Sequence, residues 1–472
     1  MSATEPAETS PHAEHLAEAV RAGFPTAVAE LAKLVRIPSV SWDGYDADQL
    51  VHSAEAVAEL ARETGVFDLV EVLSATPPEG HEHGHPAVVA TRTARKGRPT
   101  VLLYAHHDVQ PPGADTDWIS APYEPTVRGD RLYGRGAADD TAGILAHIAA
   151  IRALAEVLEG QGEDLDLGII VFIEGEEEFG SRSLGSLFDQ LGERLASDVI
   201  VVADSANWNL QTPALTVGLR GAVAFNLRVS TLDHASHSGL FGGQVPDAML
   251  AAIQLLSSLW NADGSVAVEG LASAPGTTPA GYDEHALRAD AGLLDGVTPI
   301  GRGEILARAW FQPAITITGI DAPTVRDASN TLLPSVRVRV SARVAPGQSA
   351  ADYFDHLEAH LRSHAPHGAH LEIDDVDLGE PFEVNAEGWA TAESLAALRE
   401  GYGVEPVQIG MGGSIPFIAD LAHRFPTTQI LITGVEDPDS RAHSPNESVH
   451  LPTFAKAIHA EALFLARLNS RA

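Results

Sequence analysis

The chain has 472 residues, no cysteine and a formal net charge of −35. That length exceeds the roughly 250–300 residues at which single cores stop growing, so two domains are expected. The charge argues against nucleic-acid or anionic-membrane partners, and without cysteine any metal must be held by His, Asp and Glu.

In chain order, residues 1–12 read as a disordered tail. The opening stretch lacks the basic-then-apolar pattern of a secretory signal, and no apolar run approaches the ~20 residues of a membrane helix. The expectation is a soluble, cytoplasmic protein. Apolar residues recur at helical spacing over 15–36 until Ile37-Pro38 stops the helix. His81-Glu82-His83-Gly84-His85 looks like a metal tract, but its Pro/Gly-rich setting between two predicted strands favours a surface turn.

Residues 101–104 read as a buried strand running into His106-His107-Asp108, and 141–158 as a helix with Ile144, Leu145, Ile148, Ile151 and Leu154 on one face. The continuous apolar runs at 167–173, 199–203 and 430–432 are marks of strands covered on both faces. Strands alternating with helices predict an α/β domain with a mostly parallel sheet.

The middle of the chain differs. Strands are predicted at 222–231, 314–318, 335–345 and 370–377, with helices at 247–260 and 349–364. This β-α-β-β-α-β order is that of a ferredoxin-like α+β unit. The alternation of Val336, Val338 and Val340 with Arg337, Arg339 and Ser341 leaves one face open. The expected organisation is one domain of 13–212 and 381–472, with a second, 213–380, inserted into it.

Chemistry-bearing residues follow the predicted strands. His106 and Asp108 share a face by the strand period of two, and a carboxylate near a ligating His fixes its tautomer. Gly134-Arg135-Gly136-Ala137-Ala138-Asp139-Asp140 precedes a helix, where paired Asp can cap it or bridge cations. Glu174, Glu176, Glu177 and Glu178 crowd the end of the most apolar strand, which is costly unless cations neutralise them. Asp204 ends the next strand, and His443 follows the last. Two His and three carboxylates, namely His106, Asp139, Glu178, Asp204 and His443, suit two cations such as Zn²⁺, with Glu177 placed as general base.

The segments AHHDVQPP, LYGRGAADD, EGEEEFGS, VVADS, SHSGLFGG, GGSIP and AHSPNE occur in that order. They resemble the motif series of the M20 metallopeptidases (the aminoacylase/carnosinase/carboxypeptidase G2 group) over about residues 30–470, most closely the carnosinase-like dipeptidase branch. The resemblance implies that Asp139 bridges two zinc ions, with Mn²⁺ or Co²⁺ as substitutes. His106 and Asp204 would complete one site, Glu178 and His443 the other. Asp108 would orient His106, and Glu177 would take a proton from water and pass it to the leaving amine.

It further implies a homodimer whose inserted domain serves as lid and dimer contact, with substrate bound in the cleft between domains. His237 would stabilise the oxyanion in the partner subunit, Arg343 would grip a substrate carboxylate, Gly413 and Ser414 would line a substrate loop, and Thr331 would be lent across the dimer. Two departures stand out: Thr141 replaces the usual Lys after the Asp pair, and the 334–343 interval is one residue short. The implied function is dipeptide or short-peptide hydrolysis. The alternatives are an N-acyl-amino-acid deacylase or carbamoylase, and a non-catalytic metal or peptide binder. No G-x-S-x-G elbow of a serine hydrolase is present.

Overall fold

The most apolar stretch forms strand Gly168–Glu174, buried at every position. It pairs in parallel with Thr100–His106, which pairs in parallel with Val199–Val202, which pairs in parallel with Gln429–Ile432. Continuous apolar side chains suit such strands, because helices cover both faces. Parallel strands also deliver their carboxyl ends to one edge, so His106, Glu174 and the loops after Val202 and Ile432 emerge together.

The computed structural model describes residues 9–78, 84–276, 278–384, 388–412, 418, 421–422 and 424–471. Two compact units partition the chain: Met1–Val217 with Val384–Gln408 and Asp420–Ala472, and Gly218–Glu383 with Ile409–Ala419. The division falls inside strand Ala214–Leu219, and the short return of Ile409–Ala419 to the second unit was not anticipated.

The sheet of the first unit is mixed, not mostly parallel. Ala87–Arg92 and then Leu69–Leu73 add antiparallel beside Gly168–Glu174, and Ala214–Leu219 meets Gln429–Ile432 antiparallel at Ile432 and Thr216. Antiparallel neighbours need no helical crossover between them.

Helix Thr141–Gln161 was expected to bury one face but is buried almost all round. Helices Ala13–Val35 and Leu451–Ser470 pack on it, as does strand Thr100–His106. By length and composition it could cross a membrane, yet 78% of its most apolar window is buried inside the protein. Within the stretch expected as a tail, Ser10 is held by side-chain contacts. Ser10 is buried, its amide donating to Glu400 at 3.0 Å and its Oγ accepting from Arg467 Nε at 2.7 Å.

The second unit holds an antiparallel sheet in the order Ala314–Asp321, Ser335–Val344, Gly221–Ser230, His370–Gly379. Gly221–Ser230 and Ser335–Val344 alternate buried and half-buried residues along their whole length. Helices Ala248–Ser257 and Ala350–Ser363 pack on the buried face, around Phe225, Leu227, Val340 and Leu357. Each starts at a side-chain cap: Asp247 accepts from Leu250 N at 2.7 Å, and Ser349 from Asp352 N at 3.1 Å. This is the ferredoxin-like β-α-β-β-α-β arrangement.

Candidate metal centre

At the carboxyl edge of the parallel strands, the two oxygens of Asp139 face two histidines. Asp139 Oδ1 lies 3.0 Å from His106 Nε2, and Oδ2 lies 2.9 Å from His443 Nε2. His443 Nε2 is also 3.2 Å from Glu178 Oε2. Two triads result, His106–Asp139–Asp204 and Asp139–Glu178–His443, each with its ligand atoms within 4.8 Å of one another. They share Asp139.

Backbone contacts hold this arrangement. His106 Nδ1 donates to the Asp108 carbonyl oxygen at 3.0 Å, with Asp108 Oδ1 at 3.5 Å, so Nε2 is left to face Asp139. The Asp108 carboxylate accepts the amides of Glu177 at 3.2 Å and Glu178 at 3.0 Å, fixing the turn that carries both. Gln110 Nε2 donates to Glu178 Oε2 at 2.7 Å. His443 sits at φ +60, flanked by positive-φ Arg441 and Asn446, a strained loop of the kind found at functional sites.

The four carboxylates after strand Gly168–Glu174 divide. Glu174 accepts from the Tyr104 hydroxyl at 2.7 Å, and Glu176 accepts from the amides of His85 at 3.0 Å and Ser183 at 2.9 Å. Those two are structural, and Glu177 and Glu178 are left for the centre. His85 is thus a tether in this fold, while His81, Glu82 and His83 lie outside the described residues.

Charge crowding is evident. Burial, with Asp204 and Glu178 alongside, lifts Glu177 well above the usual carboxylate range. Asp204 is pushed up to about 7 by burial, with Asp139 and Glu178 adding to it. Glu178 rises through burial and the Asp139 charge. Asp139 goes the other way: despite burial, hydrogen bonds from His106 and His443 hold it low. His443 is raised to about 11 by its bonds to Asp139 and Glu178. Each imidazole nitrogen faces a carboxylate oxygen of Asp139. Nitrogen and oxygen donors converging on a bridging carboxylate fit a pair of divalent ions such as Zn²⁺.

Over residues 102–467 the sequence matches the profile of Peptidase family M20/M25/M40. A cysteinylglycine-S-conjugate dipeptidase of Corynebacterium striatum is 36% identical over 371 residues, 78% of this chain and 80% of that protein. The chain belongs to peptidase family M20/M25/M40. A Cys-Gly metallodipeptidase of Schizosaccharomyces pombe is 26% identical across 94% of this chain and 95% of its own. The structure of human carnosine dipeptidase 1 matches with a TM-score of 0.78 at 25% identity, covering 98% and 100% of the two chains. The motif series does mark an M20 peptidase of the carnosinase-like dipeptidase branch.

In this M20 peptidase several supports of the centre carry no chemistry of their own in the motifs. Glu447, fully buried, accepts from Arg135 Nη1 at 2.7 Å and from the amides of Gly136 at 2.9 Å, Ala138 at 2.9 Å and Asp139 at 3.1 Å. Gly136 is required there: its φ is +78, and a Cβ would sit 2.5 Å from Val109. Asp140, expected as a possible helix cap, makes no cap bond; its Oδ2 instead accepts the His106 amide at 3.3 Å. The co-occurrence of GRGAADD and AHSPNE was the available signal for Glu447.

The second unit of this M20 peptidase carries the other expected residues. His237 and Thr331 pair directly across a short antiparallel ribbon, and His237 Nδ1 accepts the Gly239 amide at 2.9 Å. Arg343 is half-buried, opposite Ala314 and Ala222. Gly413 and Ser414 lie outside the described residues.

Proposed function

We propose that this M20 peptidase hydrolyses the amide bond of dipeptides or short peptides, using two divalent cations. The observation that carries the reading is the pair of His/carboxylate triads sharing Asp139, with Glu177 beside them on a turn clamped by Asp108. Zinc is the proposed ion, with Mn²⁺ or Co²⁺ as alternatives. Such a pair would lower the pKa of water and polarise the scissile carbonyl.

His106 and Asp204 would hold one cation, Glu178 and His443 the other, and Asp139 both. Glu177 accepts a proton from the attacking water and delivers it to the departing amine. Its raised proton affinity suits both halves of that transfer. Asp108 keeps the Glu177–Glu178 turn in register while fixing the His106 tautomer. His237 is proposed as an oxyanion donor, Arg343 as a carboxylate grip, and Thr331, Gly413 and Ser414 as substrate contacts. The second unit is proposed as lid and dimer contact of a homodimer.

The test is a panel of Cys-Gly, β-Ala-His and N-acetyl amino acids, with chelated protein reloaded by Zn²⁺, Mn²⁺ or Co²⁺. Cleavage of the dipeptides supports the reading. Cleavage of the acylated amino acids alone would replace it with a deacylase, and no cleavage with a binder.

A further inference from the structure

Two adjacent acids follow strand Gln429–Ile432, and they are treated differently. Asp437 accepts from Arg131 Nη2 and from the Asp439 amide at 2.9 Å, and is buried. Glu436 is half-buried, and among the described residues its carboxylate makes no hydrogen bond and no ion pair.

The backbone fixes where Glu436 stands. Ile432 is opposite Val202 in the parallel pairing, and the same register resumes further on, where Glu436 bridges to Ala206. Glu436 therefore lies just beyond the position of Asp204. Its carbonyl accepts the Asn207 amide at 2.8 Å and Asn207 Nδ2 at 3.3 Å, and the Gly434 carbonyl accepts Nδ2 at 3.1 Å. The two segments run so close that a Cβ on Gly434 would sit 1.6 Å from the Ser205 carbonyl oxygen. The same loop continues to His443.

The side chain is correspondingly near the centre. Burial, then the charges of Asp139 and Asp204, lifts Glu436 well above the usual carboxylate range, and the His443 charge acts against this. Neither triad includes it.

A carboxylate withdrawn from water, with no donor and no counter-charge, is costly to keep. Two of its charged neighbours, Asp139 and Asp204, belong to the triads, so the charge it lacks is the charge those triads are suited to take. Attraction between a carboxylate and divalent ions is strong where water is excluded, and acids just outside a metal's ligands tune how tightly it is held. We propose that Glu436 is a further acid of the metal centre, standing outside both triads and strengthening the retention of divalent cations there. This rests on the two-cation reading.

The experiment is a chelator-competition titration with Zn²⁺ of the full chain, previously stripped of metal, as wild type, Glu436→Gln and Glu436→Asp. The Tm of each stripped protein is measured alongside. Glu436→Gln keeps the size of the side chain and removes its charge. Its Zn²⁺ affinity should fall about 10–100-fold, with the same number of ions bound at saturation. Glu436→Asp, which keeps the charge, should recover most of that loss. Without metal, Glu436→Gln should melt at or above the wild-type Tm, because the unbalanced acid is gone.

Unchanged Zn²⁺ affinity in Glu436→Gln would overturn the proposal. So would a loss of affinity matched by a lower Tm of the stripped protein, which would mean that Glu436 only props the loop, and so would an Asp variant as weak as the Gln variant. If the wild type binds none of Zn²⁺, Mn²⁺ and Co²⁺, the two-cation reading fails and the proposal with it. Tight wild-type binding that is indifferent to Glu436 sinks the proposal alone.

Discussion

The Glu447 carboxylate accepts the backbone amide of Asp139 at 3.1 Å, so the shared residue of both triads hangs from a buried acid 308 positions away. The same carboxylate binds Arg135, which is 2% exposed. Glu447→Ala would leave that guanidinium and three amides without their acceptor. Breaking such a buried pair costs about 3–5 kcal/mol. Denaturant unfolding should show a loss of that size, with weaker metal retention. Unchanged stability would mean that Glu447 does not hold the Asp139 loop.

Glu177→Gln keeps the shape of the side chain and removes its capacity to take a proton. Turnover should fall ~10²–10⁴-fold, the usual contribution of a general base. Metal content, measured by elemental analysis, should not change, because both triads remain complete without Glu177. Full turnover in this variant would exclude it as the base.

Asp108 has two tasks, since it positions His106 and accepts the amides of Glu177 and Glu178. Asp108→Ala releases both amides and removes the carboxylate oxygen 3.5 Å from His106 Nδ1, while the backbone carbonyl that accepts from Nδ1 stays. Supports of this kind are worth about 10–100-fold in metal affinity or activity. Competition titration against a chelator should show weakened metal binding, which Glu177→Gln should not. Equal metal affinity in the two variants would contradict the clamping role.

The pH dependence of the metal-free protein follows from the crowded acids. Burial first of all pushes Asp204 up to about 7 and Glu174 to about 8. In the unfolded chain such groups release their protons near pH 4 (about 3.9 for Asp and 4.3 for Glu). The fold therefore holds protons that the unfolded chain has lost, and stability falls as pH rises from about 4 through 8. His443, raised to about 11, acts in the same direction above its unfolded value of about 6.5. Chelated protein should lose Tm steadily from pH 5 to 8, while Zn²⁺ affinity rises over the same interval as those protons are displaced. A chelated Tm that climbs with pH would refute this.

Much of the site was legible because its ligands follow apolar runs. His106 ends strand Thr100–His106, Asp204 lies just beyond strand Val199–Val202, and parallel pairing brings those ends together. Glu447 stands inside the motif AHSPNE with no role legible there, since three of its partners are backbone amides, which leave no mark on residue identity, and the fourth, Arg135, is 312 positions away. Glu176 stands among four similar acids, and its bonds from the His85 and Ser183 amides and the Ser183 hydroxyl distinguish it. The all-round burial of helix Thr141–Gln161 depends on two helices from opposite ends of the chain, so no local periodicity could report it.

The most direct measurement is a titration of chelated protein with Zn²⁺ while Cys-Gly hydrolysis is followed. Turnover should be absent without metal and rise to saturation at two equivalents per chain. Saturation at one equivalent, or full hydrolysis in the chelated protein, would contradict a centre built on two triads sharing Asp139.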